Sequence, residues 1–269
     1  MSPATLDQIL DAARQRVEGL YLRRRDLERA AAAAPPRPPF GPAVVGATVG
    51  VIAEVKRRSP SAGTIHADLD AAEHASAYAQ GGAVAISVLT DEVHFGGSIA
   101  DLARVAEAVR LPVLRKDFVL DELQLVEARA AGASAVLLIA RVVSGGRLAA
   151  LARAARGLGL ATLVEVHSED ELDRALAAGG DVVGVNARDL ASYAVDLGVV
   201  ERLVPRVPPE VPAVAESGVN HRADVERVAA AGADLVLVGS ALARRTDPAA
   251  AVRELAGVTR RRRPVGGAP

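Results

Sequence analysis

Two lysines, Lys56 and Lys116, stand in a chain whose basic residues total 32, so every other cation among them is an arginine. Where a permanent cation suffices, this sequence uses arginine; a retained lysine marks a place where guanidinium is too large, too planar or too hard to deprotonate. Both lysines close short apolar runs, Val-Ile-Ala-Glu-Val-Lys at 51–56 and Leu-Pro-Val-Leu-Arg-Lys at 111–116. Glu54, Ser87, Glu165, Asn186, Glu216 with Ser217, and Gly239 with Ser240 close equivalent runs. Buried ionisable groups are costly unless paired or wet. Carboxylates and amines at so many equivalent positions therefore predict one shared polar pocket, able to move protons and to hold negative charge.

The pocket has an expected phosphate end. Glu216-Ser217-Gly218 and Gly239-Ser240-Ala241 close the seventh and eighth runs, the second opening a helix. Glycine lets the backbone approach closely, and amide N–H groups at a helix start supply donors. Of only three phenylalanines, Phe95 lies in the loop Thr90–Gly97 and Phe118 follows Lys116 by two positions. Both can wall an apolar or aromatic ring near the Lys116 amine. Glu165-Val166-His167 offers two metal-type ligands without a third at recognisable spacing, so no metal is expected. No Ser-His-Asp or cofactor fingerprint stands out.

These groups need a scaffold that brings strand ends together. Valine-rich runs near 50–55, 83–89, 111–115, 135–139, 160–165, 181–185, 212–215 and 234–238 alternate with helical stretches such as 120–131 and 168–178. Glycines at 81–82, 132, 179–180 and 232 end helices before the next run. Eight strand–helix units predict an α/β fold of the (β/α)8 TIM barrel type over residues 49–258, with chemistry where strands end. An open doubly wound sheet fits less well, because eight strands follow without a break and no Gly-x-Gly-x-x-Gly opens the first helix.

Residues 1–48 read as an N-terminal helical extension and connector. Leu6, Ile9, Leu10, Ala13, Val17 and Leu20 keep helical spacing, and a face this short needs the barrel to dock on. An alanine run at 30–34 and the stiff segment Pro35-Pro36-Arg37-Pro38-Pro39 follow. Residues 259–269, with Arg260 to Arg263 and Gly266-Gly267, read as a flexible, solvated basic tail.

Composition narrows the function classes. A net charge of -1 gives no reason to expect a nucleic-acid or membrane-surface partner. Aromatics are 2% and hydrophobic residues 50%, so the core is built of alanine, valine and leucine. The absence of cysteine excludes disulfides and thiolate chemistry. With no signal-like or membrane-spanning apolar stretch, a cytoplasmic, monomeric protein is expected.

The motifs also resemble a known family. Ile52-Ala53-Glu54-Val55-Lys56 with Ser59-Pro60-Ser61-Ala62-Gly63, Ser87-Val88-Leu89-Thr90-Asp91 with Phe95-Gly96-Gly97-Ser98, and Pro112 to Phe118 are similar to the indole-3-glycerol-phosphate synthases of tryptophan biosynthesis. So are Leu163-Val164-Glu165-Val166-His167, Val185-Asn186 with Arg188-Asp189-Leu190, Glu216-Ser217-Gly218 and Val238-Gly239-Ser240. The resemblance implies closure of the indole ring of 1-(o-carboxyphenylamino)-1-deoxyribulose 5-phosphate, a phosphorylated small molecule, with loss of CO2 and water and no cofactor. It implies Lys116 as general acid, its pKa lowered by a desolvated, cationic site. It further implies Glu165 as acid or base, Lys56 as charge binder, and Glu54, Asn186 and Glu216 as polar contacts. Ser59, Arg188, Ser217, Gly218, Gly239 and Ser240 resemble substrate and phosphate contacts; Phe95, Phe118 and Leu137 resemble the walls around the anthranilate ring. Two positions depart from the family's common pattern, Ala187 in place of a second asparagine and Leu123 in place of a tyrosine. The competing readings are a phosphoribosylanthranilate isomerase-like sugar-phosphate isomerase and a non-catalytic phosphate-ligand-binding barrel. The two lysine motifs do not fit the isomerase, and a non-catalytic barrel would tolerate loss of the strand-end acids, all of which are present.

Overall fold

The computed structural model describes residues 4–264. Eight parallel strands close into a barrel: β1 (Gly50–Val55), β2 (Ala85–Leu89), β3 (Val113–Lys116), β4 (Ala135–Ile139), β5 (Ala161–Val166), β6 (Val182–Asn186), β7 (Ala213–Glu216) and β8 (Leu235–Val238). Strand β1 pairs with β2 on one side and β8 on the other, with Gly50 opposite Leu235 and Glu54 opposite Ser87. The closed ring is the (β/α)8 barrel expected from the eight alternating units, and it removes the open edge of a doubly wound sheet.

Two apolar clusters explain why the strands read as nearly continuous hydrophobic runs. Alternate residues such as Ile52, Leu114, Leu137, Leu163, Val214 and Leu237 pack inside the barrel. Their neighbours, Val51, Val136, Val164, Val183 and Val236, pack outward against the helices. Small β-branched side chains suit this two-sided burial, which is how so few aromatics suffice.

Helices fill the connections: α1 (Leu6–Tyr21), α2 (Arg24–Ala33), α3 (Ala71–Gln80), α4 (Glu92–Phe95), α5 (Ile99–Ala108), α6 (Glu122–Ala130), α7 (Gly145–Gly157) and α8 (Glu169–Ala177). Then come α9 (Leu197–Leu203), α10 (Arg222–Ala230), α11 (Ser240–Ala243) and α12 (Pro248–Leu255). Asp70, Ser98, Asp121, Ser144, Ser168, Asp196 and Asp247 cap helix starts by accepting backbone N–H groups.

The N-terminal extension touches both ends of the barrel. Ile9, Leu10 and Ala13 of α1 join the interior cluster at the mouth, beside Phe118 and Ile139. Arg16 clamps this helix down, reaching Asp91 at 2.6 Å and Asp117 at 2.7 Å. Helix α2, which the sequence shows only as an alanine run, packs on α6 through Leu27 and Leu123, with Leu20 of α1 in the same small cluster. The leucine at 123 thus serves extension docking, while Ala187 packs in the outer cluster. Phe40 then enters the interior cluster, and a Cβ on Gly41 would lie 3.6 Å from Val182 at the first residue of β6, so the connector crosses the opposite end.

The C-terminal segment departs from the expected solvated tail. Thr259 bridges to Thr48, Arg260 N donates to Ala47 O at 3.2 Å, and Arg260 also pairs with Asp234. Arg263 is buried and donates to Asp234 at 2.8 Å, Val207 O at 3.0 Å and Val211 O at 2.7 Å. A run of arginines reads as solvated because its partners are remote in sequence; here Asp234 and a ring of free carbonyls supply them. Gly266-Gly267 lie outside the described residues.

Candidate active site

Strand alternation carries an inward-pointing register up to the C-terminal ends, where it stops being apolar. Odd-numbered strands supply four ionisable residues to one layer: Glu54 from β1, Lys116 from β3, Glu165 from β5 and Glu216 from β7. Lys116 Nζ lies 3.2 Å from Glu165 Oε2 and 3.4 Å from Glu216 Oε2. Lys56 Nζ lies 3.3 Å from Glu54 Oε1. Two glycines make room for the carboxylates. A Cβ on Gly184 of β6 would fall 2.0 Å from Glu216 Oε1, and one on Gly239 would fall 2.3 Å from Glu54 Oε1. Only a hydrogen fits at either place.

The electrostatics reverse one expectation. A cationic surrounding was to lower the pKa of Lys116, but the layer holds three carboxylates. Burial alone lowers it, yet the attraction of Glu165, Glu216 and Glu54 outweighs burial and holds the ammonium well above the ordinary lysine value. Glu165 responds in the opposite sense: burial favours its neutral form, but Lys116 and then His167, with a hydrogen bond from Asn186, keep it below the usual carboxylate range. Glu216 is pushed up to about 8, by burial first and by the neighbouring Glu165 and Glu54 next, against the pull of Lys116. At neutral pH, within this layer, Lys116 is therefore a firm ammonium, Glu165 a firm carboxylate and Glu216 a neutral carboxyl.

Around this layer lies a single cavity. Glu54, Lys56, Lys116, Glu165, Asn186 and Glu216 line it, as do Ser59, Phe95, Phe118, Leu137, Arg188, Ser217, Gly218, Gly239 and Ser240. Ser87 instead is buried and does not line it. Phe95 and Phe118 stand with ring centroids 6.5 Å apart and planes tilted by 37°, forming one apolar wall with Leu137. At the other side Ser217 and Gly218 both take left-handed backbone conformations, with φ of 63° and 80°. For a serine that conformation is uncommon and turns the backbone sharply after β7. Arg188 N donates to Asn186 Oδ1 at 3.0 Å, and its guanidinium reaches Tyr193 O at 3.1 Å. No carboxylate pairs with Arg188 among the described residues, so its charge remains free for an anion.

Several lining residues escaped the reading of strand ends. Leu6 and Ile9 come from α1, and Ser61, Leu190, Tyr193 and Asn220 come from loops. Helical spacing predicted that α1 docks but not where. His167, set aside as a metal ligand lacking partners, lies behind Glu165 with Nε2 3.5 Å from Oε1. Among the described residues no group of three potential metal ligands converges.

A family model described as indole-3-glycerol phosphate synthase matches residues 6–255. The chain is 48% identical over 258 residues to the indole-3-glycerol phosphate synthase of Mycobacterium avium, covering 95% of each chain. It is 48% identical over 252 residues to that of Rhodococcus jostii, covering 93% of this chain and 94% of the relative. Among solved structures, a 3-hexulose-6-phosphate synthase superposes with a TM-score of 0.62 at 23% identity, covering 77% of this chain and 98% of that one. The thiamine phosphate pyrophosphorylase of Pyrococcus furiosus gives a TM-score of 0.60 at 20% identity, covering 77% and 93%. At those identities the two structures share the barrel alone.

Proposed function

The chain belongs to the indole-3-glycerol phosphate synthase family, and from that premise we propose how its own residues divide the work. It is a carboxy-lyase of tryptophan biosynthesis, closing the indole ring of 1-(o-carboxyphenylamino)-1-deoxyribulose 5-phosphate with loss of CO2 and water. The substrate's phosphate is held by backbone amides and hydroxyls of Ser217, Gly218, Gly239 and Ser240, with Ser59 nearby. Its anthranilate ring lies against Phe95, Phe118 and Leu137, and Leu6 and Ile9 of α1 close that apolar end. Lys56 and Arg188 meet the remaining negative charge.

In ring closure the anthranilate carbon bearing the carboxylate attacks the C2' carbonyl, and an alkoxide develops on oxygen. The Lys116 ammonium stabilises that charge and gives it a proton. Its raised pKa does not forbid the transfer, because an alkoxide is about as basic as hydroxide, whose conjugate acid water has a pKa of about 15.7. Carbon dioxide then leaves and the ring regains aromaticity. In the dehydration the C2' hydroxyl takes a second proton from the recharged Lys116 ammonium and departs as water, while Glu165, kept anionic by Lys116, removes the proton from the carbon next to nitrogen. Asn186 and Glu54 hold the hydroxyls and amines in register, and Glu216 adds a neutral hydrogen-bonding group.

The observation that carries this reading is Lys116, 3.2 Å from Glu165 in a pocket with an aromatic wall on one side and the strained turn after β7 on the other. Incubation with the anthranilate ribulose phosphate should generate indole fluorescence; well-folded protein that yields none would overturn it. We place the enzyme in the cytoplasm as a monomer needing no nucleic acid and no cofactor, a reading supported by its family's small phosphorylated substrate and its net charge of -1; no helix among the described residues is long and apolar enough to cross a membrane. Sedimentation of the purified protein tests the monomer.

A further inference from the structure

The reaction takes up a proton that the charged layer cannot supply by itself. Ring closure places one proton on the alkoxide and dehydration places a second on the departing hydroxyl, whereas only one returns, from the carbon next to nitrogen. One proton must therefore enter per turnover, replacing the charge lost when the carboxylate leaves as CO2. Its destination is deep: the side chains of Lys116 and Glu165 are 15% and 2% exposed before any substrate covers them.

Behind Glu165 the structure holds a row of groups leading outward. His167 Nε2 is 3.5 Å from Glu165 Oε1 and, fully enclosed, has no hydrogen-bond partner among the described residues. His167 Nδ1 is 3.2 Å from Glu171 Oε2, and Arg141 donates to Glu171 at 2.8 Å and to Asp189 at 3.1 Å. Side-chain exposure climbs along the row from 2% at Glu165 through 4% at His167 and 8% at Glu171 to 43% at Asp189. Burial works against ionisation of Glu171, but hydrogen bonds from His167 and Arg141 outweigh it and bring the carboxyl to about 2. Glu171 Oε2 at Nδ1 fixes the ring so that Nε2 faces Glu165 Oε1. The charged groups facing the imidazole are Glu165 from β5 and Glu171 from α8, with Lys116 and Arg141 one step beyond.

We propose that His167 is a positioning and relay residue that recharges the site: its Nε2 gives a proton to the Glu165 carboxylate at Oε1, and the carboxyl group so formed turns about its Cγ–Cδ bond and gives that same proton to the neutral Lys116 amine. Only N–H and O–H bonds break and form. The imidazole is reloaded at Nδ1 from solvent on the Glu171 and Arg141 side as Nε2 releases, and a turn of the ring about its Cβ–Cγ bond restores the starting tautomer; the proton that Glu165 takes from the substrate follows the same short step to Lys116. This inference rests on the roles given above to Lys116 and Glu165.

The test compares His167→Asn and Glu165→Gln with the wild-type enzyme, following kcat, KM, the kcat–pH profile and thermal unfolding. His167→Asn is expected to lower kcat roughly ten- to a hundredfold with little change in KM, and to delete one ionisation from the kcat–pH profile. If His167→Asn does not fold, Glu171→Gln serves instead, with the same change in profile at a smaller loss of kcat. A folded His167→Asn enzyme with the wild-type profile overturns the relay, whether its kcat is unchanged or merely lowered. Should Glu165→Gln have lost turnover in the same assays, the reading beneath the relay stands. A Glu165→Gln enzyme that turns over normally overturns both.

Discussion

Lys116 sits among Glu165, Glu216 and Glu54, so replacing it with arginine keeps the charge and changes the chemistry. A guanidinium is planar and scarcely deprotonates. Lys116→Arg is expected to fold and to bind substrate but to lose at least about a hundredfold in kcat, measured by indole fluorescence alongside a binding titration. Glu216 sets a different expectation, because its carboxyl is raised from 4.5 to about 8 in the folded protein. A group raised on folding contributes stability that is fully present below the unfolded value and is lost as pH rises through the folded one. Wild-type stability in urea should therefore fall between about pH 5 and pH 8 relative to Glu216→Gln, whose amide has no proton to lose. A constant difference between the two proteins across that range would refute the assignment. The identities of these residues were legible in the sequence, since each closes a valine-rich run. The sign of the field on Lys116 was not, because it depends on strands β5 and β7 bringing their glutamates to within hydrogen-bonding distance of a lysine on β3.

Among elements, α1 carries the closest link between scaffold and site. Its Arg16 neutralises two carboxylates, Asp91 and Asp117, that are otherwise enclosed. Asp117 also accepts from Thr90 at 2.6 Å and from the Phe118 amide at 2.8 Å, so the clamp fixes the loops that carry both phenylalanines. Arg16→Met leaves the enclosed Asp91 without its guanidinium partner and Asp117 with Arg115 alone, and is expected to destabilise the protein by about 3 kcal/mol, read from urea unfolding. A cost under about 1 kcal/mol would place the pair among weak surface contacts instead. The helical spacing of Leu6 to Leu20 announced α1, because one apolar stripe faces the barrel. Helix α2 escaped notice because only Leu27 and Ala31 of its ten residues are buried, too few to make a stripe.

On the scale of the whole molecule, chemistry and closure occupy opposite ends. The substrate cavity opens where strands finish, while the segment around Arg263 ties Asp234 and the loop at Val207 to Val211 where strands begin. Arg263→Ala removes a buried cation from several acceptors at once and is expected to cost about 3 kcal/mol of stability in urea. At room temperature the folded variant should keep a kcat within about twofold of wild type, because no interaction of Arg263 reaches the layer of glutamates. A large fall in kcat without a fall in stability would contradict that separation. The barrel itself was readable as eight alternating runs, since burial on both faces leaves alanine, valine, leucine or isoleucine at most strand positions. The strap was not, because one aspartate at the start of β8 turns a charge run from solvated to structural.

The two glycines under the carboxylates constrain how this mouth can change over generations or in a library. Gly184 and Glu216 occupy what is sterically one site, as do Gly239 and Glu54. Randomising either glycine alone therefore meets a carboxylate oxygen already in place, so the facing glutamate has to move or shorten first. A search for new substrates would have to vary each glycine together with its glutamate, moving through paired steps in which the larger side chain shortens as the smaller one grows.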